Sequence, residues 1–238
     1  MNKFSPTTEL ASSKHARKRA FAPGFAIAID GPVGVGKSTT AKLAAKLLGI
    51  TYIDTGALYR AVAYFALQNN VMDTIADHLQ DINIELRHVN EEQRIILNGQ
   101  DISDEIRTQP IADATSLIAA NKAVRAKLLP IQQKIAQESA VIMDGRDIAS
   151  HVLPWAQLKI YLDADVEIRA RRRMNDLISR GQEADFEQIL QETILRDSRD
   201  KTREISPLIQ AEGAIRIDTG DMTPQEVAER IKELAYVL

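Results

Sequence analysis

The stretch Ile29-Asp30-Gly31-Pro32-Val33-Gly34-Val35-Gly36-Lys37-Ser38 constrains this chain more than any other. It follows the apolar run Phe25 to Ile29 and precedes an Ala/Leu-rich run that ends at Gly49. The pattern is G-x-x-x-x-G-K-[ST] in the context it requires, a strand before and a helix after. The glycines let the backbone curl so that successive N–H groups point inward at phosphate oxygens. A helix opening near Gly36 adds unpaired amides and the positive end of its dipole. Lys37 supplies a mobile cation for the outer phosphates, and the Ser38 hydroxyl is placed to ligate Mg²⁺. The loop says nothing about what receives a phosphate.

The surrounding sequence predicts an α/β fold. Gly36 to Leu48 reads as a helix with Ala41, Ala44, Ala45 and Leu48 on one face and Gly49 as its C-terminal stop. Thr51 to Ile53 is a short strand, and Ala57 to Gln68 a helix with Leu58, Val62, Phe65 and Ala66 as its apolar stripe. The pattern then changes. Ile82, Ile84 and Leu86 alternate with polar residues, Asn90-Glu91-Glu92 is turn-like, Arg94 to Leu97 is apolar, and Asn98-Gly99 is a hairpin-type turn. These features predict an antiparallel insert over Asp81 to Ser103. Helices follow at Pro110 to Ala120 and Lys122 to Gln137. Ala140 to Met143, Leu158 to Leu162 and Ala214 to Ile217 read as further strands, with helices over Val166 to Ser179 and Asp185 to about Glu204. Thr223-Pro224-Gln225-Glu226 is a capping box opening the last helix. About five parallel strands, each followed by a helix, make a three-layer α/β/α sheet, whose ligands sit at the strand carboxyl ends.

That rule gathers the glycine-rich loop, Asp54-Thr55-Gly56, Asp144 to Asp147 and the loop after Leu162 at one edge. Arginine is concentrated there: Arg60, Arg146, then Arg169, Arg171, Arg172 and Arg173, then Arg196, Arg199 and Arg203. Arg196, Asp200 and Arg203 share a helix face. Guanidinium groups suit bidentate phosphate binding and screen charge between donor and acceptor phosphates. From Asp165 to Glu204 nine basic residues meet ten acidic ones, so the segment is no net basic patch, which argues against nonspecific nucleic-acid binding. It reads equally as salt-bridged surface or as a phosphate-covering lid, with Arg172 and Arg173 divided between the two. Asp144 either holds a Mg²⁺-bound water or simply ends a strand beside Gly145. The four histidines show no metal-ligand spacing.

Composition narrows the class. A net charge of −3 speaks against a general nucleic-acid coat. No apolar run approaches a membrane span. The absence of cysteine excludes disulfides and is compatible with a reducing compartment. Residues 1–24 carry five basic residues and one acidic residue without an apolar h-region, so a disordered basic tail is expected, bounded by Pro23-Gly24. No guanine-reading Asn/Thr-Lys-x-Asp motif occurs.

The ordered set of motifs resembles bacterial cytidylate kinase. It comprises Ile29 to Ser38, Asp54-Thr55-Gly56-Ala57-Leu58-Tyr59-Arg60, Ile106-Arg107-Thr108-Gln109, Asp144-Gly145-Arg146-Asp147, and Arg196-Asp197-Ser198-Arg199-Asp200 with Arg203 and Ser206-Pro207-Leu208. The likeness runs from about Phe25 to the C-terminus. It departs at Ala149-Ser150, where the family often has Gly-Thr. The resemblance implies transfer of the γ-phosphate of ATP to CMP or dCMP with Mg²⁺, with UMP, AMP or a small metabolite as alternative acceptors. It implies one kinase domain over residues 25–238, with a nucleoside-monophosphate insert at about 75–108 and a lid at about 165–185. Gly31, Pro32, Val33, Gly34, Val35, Gly36, Lys37, Ser38 and Thr39 then surround the ATP phosphates, with Arg172 and Arg173 in the lid. Arg60, Arg146, Arg196 and Arg203 clamp the acceptor phosphate and the transferring group. Tyr59 and Asp200 lie by the acceptor sugar. Ser116, Arg125 and Asp147 read the cytosine edge, with Thr55 nearby. Lys37, Arg146, Arg196 and Arg203 carry the chemistry. A cytoplasmic monomer is expected, with no nucleic-acid or membrane partner.

Overall fold

A computed structural model describes residues 21–89, 92–179 and 181–238. The expected tail up to residue 20, the turn at Asn90-Glu91 and Arg180 lie outside the described residues. Of residues 21–24, expected as the end of the tail, Phe21 and Gly24 pack on the fold while Ala22 and Pro23 are exposed. The Phe21 ring stacks on Phe25 with centroids 4.3 Å apart and on Tyr236 at 6.0 Å, and the Gly24 amide donates to the Ser139 carbonyl.

Five strands form a parallel sheet: β1 (Ala26–Asp30), β2 (Thr51–Asp54), β6 (Val141–Gly145), β7 (Leu158–Asp163) and β8 (Ile215–Asp218), in the order β2-β6-β1-β7-β8. All five residues of β1 are buried, as a central strand covered on both faces requires. The chain passes from β1 to β2 over β6, and β7 and β8 lie on the other side. β1 therefore ends where the winding reverses, the place such sheets leave a crevice. The register sets the site. Asp30 lies level with Gly145 and Tyr161, and Asp54 lies level with Asp144.

α1 (Lys37–Leu48) and α7 (Pro224–Val237) pack on one face through Ala41, Ala44, Ala45, Val227 and Ile231. Small alanines let α1 approach the strands closely. Thr223 and Glu226 form the predicted capping box at the start of α7. The other face is covered by a short helical turn, Ile148–Val152, and by Ala136 of α4 (Lys122–Glu138). That turn is all that stands between β6 and β7, where a full helix was expected after every strand. It suffices because it only needs to cross β1.

The antiparallel insert is present, with β3 (Ile84–Val89) paired to β4 (Glu92–Leu97) and a two-residue third strand, β5 (Gln100–Asp101), that the sequence did not announce. Its inner face, Ile84, Ile95 and Leu97, shares a core with Leu58 and Val62 of α2 (Thr55–Gln68), Ile111 and Ile118 of α3 (Gln109–Ile118), and Val124 and Leu128 of α4. The Gln93 side chain brackets Asp54, accepting from its amide at 2.8 Å and donating to its carbonyl at 3.1 Å. The insert is thus latched to the edge of the sheet beside the crevice. α5 (Val166–Ser179) and α6 (Phe186–Thr202) complete the chain between β7 and β8.

Candidate active site

The loop between β1 and α1 has the geometry its glycines predict. Gly31, Gly34 and Gly36 have φ of 152°, 76° and 91°. A Cβ at Gly31 would lie 2.2 Å from the Leu162 carbonyl oxygen, so only glycine fits against β7. α1 has Gly36 at its N-cap in the left-handed region, no side-chain cap and no acidic residue in its first turn. Its leading amides are left for an anion. Pro32 and Val35 are buried in the loop, Val33 is half-buried, and Ser38 and Thr39 are exposed on the first turn of α1. Lys37 is buried and donates through Nζ to the carbonyls of Gly31 at 2.8 Å and Pro32 at 2.7 Å. Burial, reinforced by the charge of Arg146, pushes Lys37 well below its ordinary value, while Asp144, Asp200 and Asp30 oppose that fall.

Asp144 ends β6 directly beneath this loop. Its two oxygens accept from the Ser38 hydroxyl at 2.9 Å and the Tyr52 hydroxyl at 2.8 Å. Burial, with the charge of Asp54, pushes its carboxyl above the usual range. The backbone carbonyl of Asp144 accepts from Thr55 Oγ1 at 2.7 Å, which fixes Thr55 at the start of α2. A hydroxyl and a carboxylate on neighbouring elements are hard oxygen donors, the set Mg²⁺ takes when substrate phosphates and water complete its shell. Ser38 and Asp144 therefore fit such an ion. No group of three or more His, Cys, Asp or Glu with metal-binding potential occurs among the described residues.

On the far side of Asp144 the arginines converge. Arg60 on α2 pairs with Asp54 at 2.6 Å, and Asp54 also caps α2 by accepting from the Ala57 amide. Arg146 pairs through Nε with Asp200 of α6 at 2.8 Å. Burial pushes Asp200 up, but Arg146, with Arg196 and Arg203, outweighs it and leaves the carboxyl below its ordinary value. Arg125 of α4 and Arg203 at the end of α6 both pair with Asp147, a group that is almost wholly buried. Arg203 is steadied by donating Nε to the Ser206 carbonyl, and the Arg125 guanidinium lies 5.6 Å from the centroid of the buried Tyr59 ring. Arg196 is different. No carboxylate among the described residues forms an ion pair with it, its Nε is buried with no partner, as are those of Arg60 and Arg125, and burial together with Arg146 lowers its pKa to about 10. A desolvated guanidinium with no ion pair among the described residues, beside two other arginines, is suited to binding an anion.

Three expected residues stand apart. Ser116 is half-buried on α3, and no hydrogen bond joins it to Arg125 or Asp147. Arg172 donates to Thr219 Oγ1 and to the carbonyls of Thr219 and Gly220 in the loop after β8. Arg173 turns the other way, to Gln109 at 3.0 Å and Asp176 at 3.7 Å.

Several residues that matter here have partners that the sequence did not announce. Asp30, 1% exposed, accepts from the amides of Ile148 at 2.8 Å and Ala149 at 2.7 Å, which follow Asp147 directly. Burial, with Asp147 adding to the rise, pushes its pKa up to about 7. Tyr52 and Asp54 orient Asp144 and Arg60. Arg169 and Asp197 form a buried pair behind the loop.

Comparison with known proteins agrees with this geometry. Residues 27–236 match the family model for cytidylate kinase. The cytidylate kinase of Lysinibacillus sphaericus (strain C3-41) is 47% identical over 213 residues, covering 88% of this chain and 95% of that one. That of Bacillus subtilis (strain 168) is 43% identical over the same span and coverage. A solved structure of an uncharacterized protein from Eubacterium ventriosum ATCC 27560 shares the fold, with a TM-score of 0.50 and 15% identity over 90% of this chain and 99% of that one. A phosphate loop, a cluster of desolvated arginines and a family match across nearly the whole chain lead to one conclusion: this chain belongs to the cytidylate kinase family.

Proposed function

We propose that the protein transfers the γ-phosphate of ATP to CMP or dCMP, giving ADP and CDP or dCDP. The observation that carries this is the buried Arg125–Asp147–Arg203 cluster, joined through residues 144–147 to Asp144 of β6, which accepts from Ser38 after the phosphate loop. Cytosine presents an amino donor beside ring N3 and O2 acceptors. A carboxylate acceptor flanked by guanidinium donors complements that edge and would leave unpaired groups against uracil. In this reading Ser116, which stands apart from Arg125 and Asp147 here, and Thr55 join the base contacts once CMP is bound, with Tyr59 and Asp200 beside the sugar.

The acceptor is already an anionic phosphate, so no strong general base is required, and catalysis consists of positioning and charge neutralisation. Gly31 to Thr39 hold the ATP phosphates, with Lys37 on the transferring group. Arg60, Arg146, Arg196 and Arg203 hold the acceptor phosphate. Ser38, with Asp144 through water, would hold Mg²⁺, which would offset the charge of the ATP phosphates. In this reading residues 25–238 are one kinase unit. The antiparallel segment at about 75–108 closes on CMP, and residues 165–185 with Arg172 and Arg173 close on ATP. The protein acts as a cytoplasmic monomer without nucleic-acid or membrane partners. No helix among the described residues is long and apolar enough to cross a membrane.

A coupled ADP-release assay over CMP, dCMP, UMP, AMP and shikimate, with and without Mg²⁺, tests this reading. Turnover with CMP and dCMP that stops on chelation is expected. Comparable rates with UMP or AMP would reassign the acceptor.

A further inference from the structure

The pair of Arg169 and Asp197 is outside every role given so far. Arg169 lies on α5 and is 5% exposed; Asp197 lies on α6 and is 6% exposed. Arg169 donates Nε to the Ala164 carbonyl at 3.0 Å, Nη1 to the Val33 carbonyl of the phosphate loop at 2.9 Å, and Nη2 to Asp197 Oδ2 at 2.6 Å. Its backbone sits under Gly34, where a Cβ would come within 3.2 Å of both the Arg169 Cβ and its carbonyl oxygen. One guanidinium thus touches the donor loop and the helix that carries Arg196, Asp200 and Arg203.

Stability does not account for the arrangement. Removing two charges from water costs about as much as their attraction returns, and apolar residues of the same volume commonly do as well. The other Asp197 oxygen, Oδ1, is buried with no partner, which adds a penalty. A buried pair of this kind is best attested as a device that fixes register between elements. Here the elements are the loop that holds one substrate and the helix that holds the other. Asp197 is the immediate neighbour of Arg196 and one turn from Asp200, so a shift of Asp197 is a shift of both.

We propose that Arg169 and Asp197 are positioning residues that couple the two substrate sites, so that a triphosphate in the loop tightens the grip of α6 on the nucleoside monophosphate. This rests on the function proposed above. Phosphates entering the loop fix the Val33 carbonyl, Val33 fixes the Arg169 fork, and the fork sets Asp197 and with it the turn bearing Arg196 and Asp200. The two sites then share a coupling free energy, which must be reciprocal.

The test is a binding cycle on the full chain. CMP is titrated calorimetrically with and without Mg²⁺ and the non-hydrolysable analogue AMP-PNP, for the wild type, Asp197→Asn and Arg169→Lys. The wild type should bind CMP about 5- to 150-fold more tightly when AMP-PNP is present. Asp197→Asn keeps the shape and an acceptor for Arg169 but loses the charge; the enhancement should fall below about twofold, with each ligand alone bound within about threefold of wild type. Arg169→Lys, which cannot span Val33 and Asp197 with a planar fork, should behave likewise. Unchanged enhancement in the variants would overturn the proposal. So would a wild type that shows no enhancement, a result independent of whether either variant folds. Wild-type turnover of CMP without coupling defeats this inference alone, whereas absence of CMP turnover defeats the function on which it rests.

Discussion

Replacing Asp30 by Asn tests whether the carboxylate beneath the phosphate loop is held against its own chemistry. The side chain is 1% exposed, and its pKa rises from 3.8 to about 7. Burial is the main cause and Asp147 adds to it; the amides of Ala149 and Ile148 and the charge of Lys37 act the other way. An acid whose folded pKa exceeds its unfolded value binds more protons when folded. Its contribution to stability is therefore complete below pH 3.8 and is lost as pH rises through 7. A displacement of roughly three units corresponds to about 4 kcal/mol, of which about 2 kcal/mol falls between about pH 5.5 and about pH 8. Asparagine does not titrate. Its amide N–H must also turn toward one of the two backbone donors, so one hydrogen bond is lost at a cost of about 1–3 kcal/mol. The variant should be less stable than the wild type at about pH 5.5, and that deficit should shrink by about 2 kcal/mol by about pH 8. In melting temperature the change is about 4–8 °C for a chain of this size. Urea unfolding of both proteins at the two pH values measures it directly. A deficit that stays constant across the range would refute the reasoning, because it would mean that Asp30 titrates alike in the folded and unfolded chain.

Other perturbations separate the parts of the site. Asp147→Asn should reduce the CMP-over-UMP ratio of kcat/KM at least about tenfold in the acceptor panel, because an amide can present a donor to the uracil edge. Tyr52→Phe removes one of the two hydroxyls that orient Asp144, and the Mg²⁺ concentration for half-maximal ATP binding should rise about 10-fold or more, followed by a fluorescent ATP analogue. Gly31→Ala would place a methyl 2.2 Å from the Leu162 carbonyl at a φ that favours glycine, so a loss of about 3 kcal/mol or more is expected in denaturant unfolding.

The parts of this molecule that were legible in the sequence are those in which neighbouring residues carry the signal. The loop from Gly31 to Ser38 is a local object, and its glycines and lysine announce themselves. The alternation over Ile82 to Leu86 and the turn at Asn98-Gly99 mark the insert for the same reason. Arg146 and Asp147 were placed because parallel strands bring their carboxyl ends together. What escaped was carried by single polar residues whose partners are distant in sequence. Tyr52 reaches Asp144 across 92 residues, Asp30 reaches Ile148 across 118, and Arg169 reaches Val33 across 136. No periodicity marks an Asp at the end of a strand as a clamp rather than a turn former. Arg172 and Arg173 show the converse: adjacency on a helix suggested a shared task, but successive residues point about 100° apart and meet different neighbours.

The charges of the proposed acceptor site explain how it can be rigid before a ligand binds. Arg60, Arg125, Arg146, Arg196 and Arg203 face Asp54, Asp147 and Asp200. Five guanidiniums against three carboxylates leave an excess of two, the charge of a phosphate monoester at neutral pH. Four of the five are oriented by a carboxylate before any ligand arrives, which removes reorganisation from the binding step. Of the five, only Arg196 has no ion pair among the described residues, and its Nε, like those of Arg60 and Arg125, is buried without a partner. In the proposed reaction a phosphate need not dismantle Arg60–Asp54 or Arg146–Asp200 to gain entry. It can engage the Arg196 guanidinium, which has no ion pair among the described residues, and share the remaining N–H groups of arginines whose planes are already set. On this account the carboxylates are as much part of the phosphate site as the arginines, and removing Asp54 or Asp200 should loosen CMP even though it makes the site more positive.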